Sequence, residues 1–182
     1  AKGKSLFGES FHVRKEDKDT FLKLCSYMVQ DSENCRKMEI DINKGILLTG
    51  PVGCGKTSMM RLIRHIVPHK RTYDIIPARN ITFAFNHIGF KIIEDYGNGR
   101  YYCFDDLGVE PLGRYFGDDC NVMGEVLISR HELFQKTKIL THITTNLNAE
   151  ELEKRYGKRV RSRMRQMFNL ISFDNNTKDK RI

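Results

Sequence analysis

Short apolar runs alternate along this chain with stretches whose apolar residues recur every third or fourth position, and the two rhythms predict strands and helices in turn. Gly45-Ile46-Leu47-Leu48-Thr49 suits a buried strand. Behind it, Met59, Leu62, Ile63, Ile66 and Val67 fall on one face of a helix that Pro68 ends. Residues 73–76 read as a second strand stopped by Pro77. Ile81, Phe85, Ile88 and Ile92 predict a helix reaching Gly97, although Ile81, Phe83 and Phe85 also alternate as a strand would. Tyr101-Tyr102-Cys103-Phe104 predicts a third strand, with Asp105 and Asp106 at its tip. The glycine-punctuated stretch 108–117 reads as a surface loop, and Met123, Val126, Leu127 and Phe134 as a helix over 119–134. Residues 138–146 form a β-branched strand with a polar tip, and residues 168–173 alternate as a closing strand. Between them, Asn148 caps a short helix with Glu150 and Glu151 in its first turn. Val160, Met164 and Met167 keep helical register beyond it. Ahead of the first strand, Phe21, Leu24, Cys25 and Met28 set a helix over about 15–30, ended by the polar stretch 31–34.

This alternation predicts an α/β fold: a central parallel five-stranded sheet between two layers of helices, with the site at the carboxyl ends of the strands. Residues 1–14 read as a lead-in arm and 15–182 as one domain, without internal repeat or linker.

Chemistry enters between the first strand and its helix. Gly50-Pro51-Val52-Gly53-Cys54-Gly55-Lys56-Thr57, followed by Ser58, has glycine, four residues, glycine, lysine and threonine in the pattern of a phosphate-binding loop, in the strand–loop–helix context that the pattern requires. Glycines let the backbone aim N–H groups at phosphate oxygens, and the start of the helix adds partial positive charge. Lys56 would reach the β and γ phosphates, and the Thr57 hydroxyl would sit on Mg²⁺. The paired acids supply the partner that such a loop needs: Asp105 to hold the metal through its water shell, Asp106 to orient or deprotonate the attacking water.

Composition narrows the setting. With 40% hydrophobic and 30% charged residues the chain describes a soluble globular protein, and no apolar run approaches membrane-spanning length. The five cysteines are odd in number, without zinc or C-x-x-C spacing, and read as free thiols of a cytoplasmic protein. Cys54 lies inside the phosphate loop, with inert thiol chemistry the simpler reading. A formal charge of +8 favours polyanionic partners such as nucleic acid. The cations peak at Lys154, Arg155, Lys158, Arg159, Arg161, Arg163 and Arg165.

Three classes of protein share the loop. GTPases would match Asp105-Asp106-Leu107-Gly108 as a switch motif but need N-K-x-D, and Asn176-Thr177-Lys178-Asp179 has the wrong order. Small-molecule kinases would show an arginine-bearing lid and an acceptor pocket, which residues 105–139 do not supply. The third class fits. The loop, Cys103-Phe104-Asp105-Asp106-Leu107-Gly108, Thr144-Thr145-Asn146-Leu147, and Arg155-Tyr156-Gly157-Lys158-Arg159-Val160-Arg161-Ser162-Arg163-Met164 stand in the order and spacing of AAA+ ATPases. Over about residues 40–181 the chain resembles the DnaC-type helicase loaders and IstB-type transposition helper ATPases.

The resemblance implies an AAA+-like fold, ATP with Mg²⁺, and action in DNA replication or transposition on single-stranded or duplex DNA. It also implies head-to-tail homo-oligomers and a helicase or transposase partner. By position it makes Asn146 the polar sensor between the acidic strand and the γ-phosphate. Arg163 becomes the arginine finger entering the neighbouring subunit's site, and Arg181, or Lys178, the second sensor. The short segment after the last strand implies a reduced or absent helical lid, and the stretch before residue 15 is too short for the separate domain with which loaders hold their helicase. Asp106, where many AAA+ proteins carry Glu, keeps open a second class of function: a module that ATP gates without appreciable hydrolysis.

Overall fold

The computed structural model describes residues 2–67, 72–174, 177, 179 and 180. In chain order the elements are α1 (Lys2–Phe7), a 3-10 turn (Lys15–Asp17) leading into α2 (Lys18–Val29), α3 (Ser32–Lys37), β1 (Gly45–Thr49) and α4 (Lys56–Ile63). There follow β2 (Asp74–Pro77), α5 (Ala78–Ile88), α6 (Lys91–Tyr96), β3 (Tyr102–Asp105), and the short strands β4 (Gly113–Tyr115) and β5 (Asp118–Cys120). The chain continues with α7 (Val122–Thr137), β6 (Thr141–Thr145), α8 (Ala149–Met167) and β7 (Phe168–Ser172).

The main sheet has the order β2-β3-β6-β1-β7, and every pairing in it is parallel. Parallel neighbours need long crossovers, and the helices that make them flank the sheet, so its strands must be apolar in runs rather than in alternation. Ile46, Leu48, Phe104 and Ile143 accordingly have no exposed surface. Register brings the functional ends together. Leu47 is level with Ile143 and Leu170, Thr49 with Thr145 and Ser172, and Phe104 with Ile143. The loop after β1, the acids after β3 and the polar tip of β6 therefore emerge side by side at one edge.

The strand β6 is polar yet wholly buried, and its side chains are satisfied inside. Thr141 accepts from Arg130 Nε at 2.8 Å, and His142 Nδ1 accepts the Ile46 N–H at 3.1 Å. Arg130, on α7, has no exposed surface; its guanidinium also donates to the carbonyls of Leu140 and Asn98. Burial pulls its pKa down to about 10, which leaves it charged at neutral pH.

Several elements differ from their sequence expectations. The helix after the phosphate loop ends at Ile63, short of Pro68, and Ile66 is partly exposed. The helix expected through Gly97 is two, α5 and α6, separated where Gly89 takes φ +74° and ψ −149°. The strand before it includes Pro77 rather than stopping there. Residues 31–34 end one helix but begin another, because the Asp31 carboxylate accepts the Asn34 N–H at 3.0 Å and caps α3. The stretch 108–117 is not all loop: Gly113 to Tyr115 pairs antiparallel with Asp118 to Cys120, which delays α7 to Val122. No helix among the described residues is long and apolar enough to cross a membrane.

Candidate nucleotide-binding site

At the carboxyl edge of the sheet opens a cavity of about 810 Å³, lined by residues 52–59 of the glycine loop and its helix, by Asp105, Asp106 and Asn146, and by Lys180. Its volume lies in the range of small-molecule sites. Gly55, at φ +102°, turns the chain from loop into α4, and among the described residues no side chain caps that helix start. The first turn of that helix stands at the positive end of the helix dipole, where an anionic ligand is favoured. Lys56 is 6% exposed, and its ammonium is folded onto the loop, donating to Gly50 O at 2.8 Å and Pro51 O at 2.9 Å. Cys54 is buried, and burial raises its thiol pKa against the opposing charge of Lys56.

Opposite the loop, Asp105 takes two hydroxyls. Thr57 Oγ1 donates to its carboxylate at 2.9 and 3.1 Å, and Thr144 Oγ1 donates at 2.6 Å. The same Thr144 oxygen accepts the Asp106 N–H at 2.9 Å, so one hydroxyl fixes both acids. Asp106 adopts φ +52°, a conformation uncommon outside glycine, asparagine and aspartate, and this turns it out of the strand to the cavity. Gly108 follows at φ +104°, and a Cβ there would stand 2.3 Å from Leu147, so the turn admits only glycine without displacing that side chain.

Asn146 follows β6 at the cavity wall, and its Oδ1 is buried without a hydrogen-bond partner among the described residues. A buried orphan acceptor costs about 1–3 kcal/mol, so its natural complement is a donor from a ligand or water. The donors around Asp105 and Thr57 are all oxygen, which fits a hard divalent cation such as Mg²⁺ held by one carboxylate, one hydroxyl and phosphate oxygens.

The structure thus brings Gly53, Cys54, Gly55, Lys56, Thr57, Ser58, Asp105, Asp106 and Asn146 to one cavity, together with Val52, while Gly50 and Pro51 face Lys56 from behind. It does not bring Arg163 there. That residue lies on α8 beyond Gly157, whose φ of +83° and ψ of +161° interrupt the helix, and its Nε is buried without a partner among the described residues. Arg155 is drawn from the basic row into contact with Glu110, whereas Lys154, Lys158, Arg159 and Arg165 are exposed. Arg181 and Lys178 lie outside the described residues.

Three contributors escaped sequence reasoning. The arm supplies a wall of the cavity through Phe7, Phe11 and Val13; its scattered aromatics were the one signal of this. Thr144 reads in sequence as an ordinary strand residue. Lys180 reaches the loop from the other end of the chain: its N–H donates to Gly53 O at 3.0 Å, and its ammonium to Cys54 O at 2.5 Å and to buried Asp17 at 2.6 Å.

No protein-family profile and no curated protein sequence matches the chain. Solved structures do. A DnaC helicase loader aligns with a TM-score of 0.66 at 18% identity, over 91% of this chain and 95% of that one. A Streptococcus pyogenes serotype M3 protein described as a primosome component aligns at 0.66 and 19%, over 91% and 83%. The replication initiator DnaA, bound to AMPPCP and single-stranded DNA, aligns at 0.56 and 16%, over 94% of this chain and 50% of that one.

Proposed function

From the AAA+ P-loop fold that the chain shares with these replication proteins, we propose that it binds ATP with Mg²⁺ and hydrolyses it in DNA replication or transposition, as a DNA-associated loader or helper ATPase. One observation carries the reading: Thr144 locks Asp105 and Asp106 together while the Asn146 oxygen, without a partner among the described residues, faces the same cavity as the start of α4.

In this reading the loop N–H groups and Lys56 bind the phosphates, with Lys56 released from the two carbonyls that now hold it. Gly50 to Ser58 form the cradle, and the apolar wall of Phe7, Phe11, Val13 and Met59 suits a purine base. Asp105 and Thr57 would hold the Mg²⁺, which would supply neutralisation of phosphate charge. Asn146 positions the water, and Asp106 accepts its proton as oxygen attacks the γ-phosphorus and ADP leaves.

Arg163 stands outside its own chain's cavity, which supports its use in a neighbouring subunit of a head-to-tail assembly. The exposed cations of α8 offer a surface for DNA phosphates, and the unpaired cysteines suit a cytoplasmic setting. The same position of Arg163 favours a second reading: an ATP-gated binding module that hydrolyses ATP negligibly and uses it to set its affinity for a protein or DNA partner.

Phosphate release measured as protein concentration rises, with and without single-stranded DNA, separates the two. Specific activity that climbs with concentration or DNA is expected, with Lys56→Ala removing both activity and tight ATP binding by calorimetry. Wild-type ATP affinity in Lys56→Ala would overturn the assignment of the loop.

A further inference from the structure

Glu110 is a carboxylate that the nucleotide site does not use, yet it is only 3% exposed. Its Oε2 accepts the Gly108 N–H at 2.8 Å, on the turn that presents Asp106. Its Oε1 accepts the Tyr156 hydroxyl of α8 and lies 3.4 Å from Arg155 Nε, while Arg155 Nη2 donates to the Glu110 carbonyl. Arg155 is held in turn from the cap of α7, where Asn121 Nδ2 donates to its carbonyl at 2.9 Å. Burial and the adjacent carboxylate raise the Tyr156 pKa, so the phenol remains a donor.

A buried ion pair of this kind is weak as a stabilising device, since well-packed apolar residues often serve equally well. Its geometry is more telling. From one side the acid turn is fixed to β6, through Asp106 N–H to Thr144 Oγ1 and Leu107 N–H to Thr144 O at 2.9 Å each. From the other side Glu110 fixes it to α8. The grip on α8 falls at Arg155 and Tyr156, immediately before the break at Gly157. Nothing lies within 4 Å of a Cβ built on Gly157, and a cavity of about 480 Å³ opens beside it, so the two halves of the helix have room to change their angle. Beyond the break stand Arg161 and Arg163, each with a buried Nε that has no partner among the described residues.

We propose that Glu110 is a positioning residue that couples the Asp105–Asp106 turn to the arginine-bearing half of α8, with Gly157 as the hinge. Occupation of the phosphate site displaces the turn, Glu110 carries the displacement to Arg155 and Tyr156, and the segment 158–167 reorients with its arginines. The coupling rests on the nucleotide reading of the cavity, but not on hydrolysis or assembly.

Hydrogen–deuterium exchange of the full chain, with and without Mg²⁺ and AMPPCP, tests it. Wild type is expected to show protection at 50–58 together with a changed exchange rate across 158–167. Glu110→Ala should keep the first and lose the second. Glu110→Gln, which retains an acceptor for Gly108 and a polar contact for Tyr156, should restore it, a rescue that general loosening of the fold would not give. Tyr156→Phe, lacking only the hydroxyl, should weaken the response if Glu110→Ala folds poorly. A response at 158–167 that persists in Glu110→Ala, or is missing in wild type despite protection at 50–58, overturns the coupling alone. Missing protection at 50–58 in wild type overturns the nucleotide reading and the coupling together.

Discussion

The Thr144 hydroxyl sits between two groups whose separation the proposed chemistry depends on, donating to the Asp105 carboxylate and accepting the Asp106 N–H. Valine has the same shape without the hydrogen-bonding oxygen. Thr144→Val would remove the hydroxyl that joins the Asp106 N–H to Asp105 and leave Asp105 held by Thr57 alone, and displacement of a reacting group by even an ångström costs about 10²-fold in rate. The expected outcome is ATP affinity near wild type with turnover down by about that factor. Calorimetry and phosphate release on one preparation measure the two separately, and unchanged turnover would reduce Thr144 to a strand residue. That double role is invisible in sequence, where a β-branched residue inside a buried strand already has a sufficient reason to be there. By contrast, Lys56, Thr57 and Asp105 were legible because their spacing has few other physical explanations.

At the scale of elements, legibility followed how much of each element's structure is local. The three central strands of the main sheet, β3, β6 and β1, stand out because both faces of each are covered, so each is a short apolar or β-branched run, while the edge strands β2 and β7 keep exposed positions. The hairpin of β4 and β5 does not, since three-residue strands of mixed polarity carry no period. Its position is set by tertiary contact: a Cβ on Gly113 would stand 2.5 Å from Val122 and 2.7 Å from Phe85. The break at Gly89 was hidden by apolar residues that stay in register across it. Arg130 is the plainest element-scale dependence, because its guanidinium ties α7 to Thr141, Leu140 and Asn98. Arg130→Met keeps much of the volume and removes every donor, stranding buried acceptors at about 1–3 kcal/mol each. The expected loss is about 3 kcal/mol in urea unfolding, with no change in the slope against denaturant. A loss below about 0.5 kcal/mol would mean that water or rearranged side chains satisfy those carbonyls.

At the scale of the whole molecule, the proposed function divides between two surfaces, the cavity lined by the glycine loop, Asp105, Asp106 and Asn146, and the basic half of α8, which does not line it. If that helix serves a neighbour, Arg163→Ala should bind ATP as wild type does and lose the rise of specific activity with concentration. In other NTPases an arginine in such a role is worth roughly 10³- to 10⁵-fold. Mixing Arg163→Ala with Lys56→Ala should then recover activity, because one subunit offers an intact loop and the other an intact arginine. Equal turnover of Arg163→Ala and wild type at every concentration would remove the residue from catalysis. Neither the separation of the two surfaces nor the closeness of Lys180 to the loop was readable from order along the chain.

The place of β1 in the sheet has a consequence for how the protein is made. Its two neighbours are β6 and β7, with Gly45 level with Phe168 and Leu47 with Ile143. Both arrive late in synthesis, long after β1 has left the ribosome. Pairings so distant in sequence form slowly, and a buried strand waiting for them is exposed to aggregation. The glycine loop that follows β1 has no frame until those partners dock, so nucleotide is expected to rescue the finished chain by mass action and to do nothing for one still being translated.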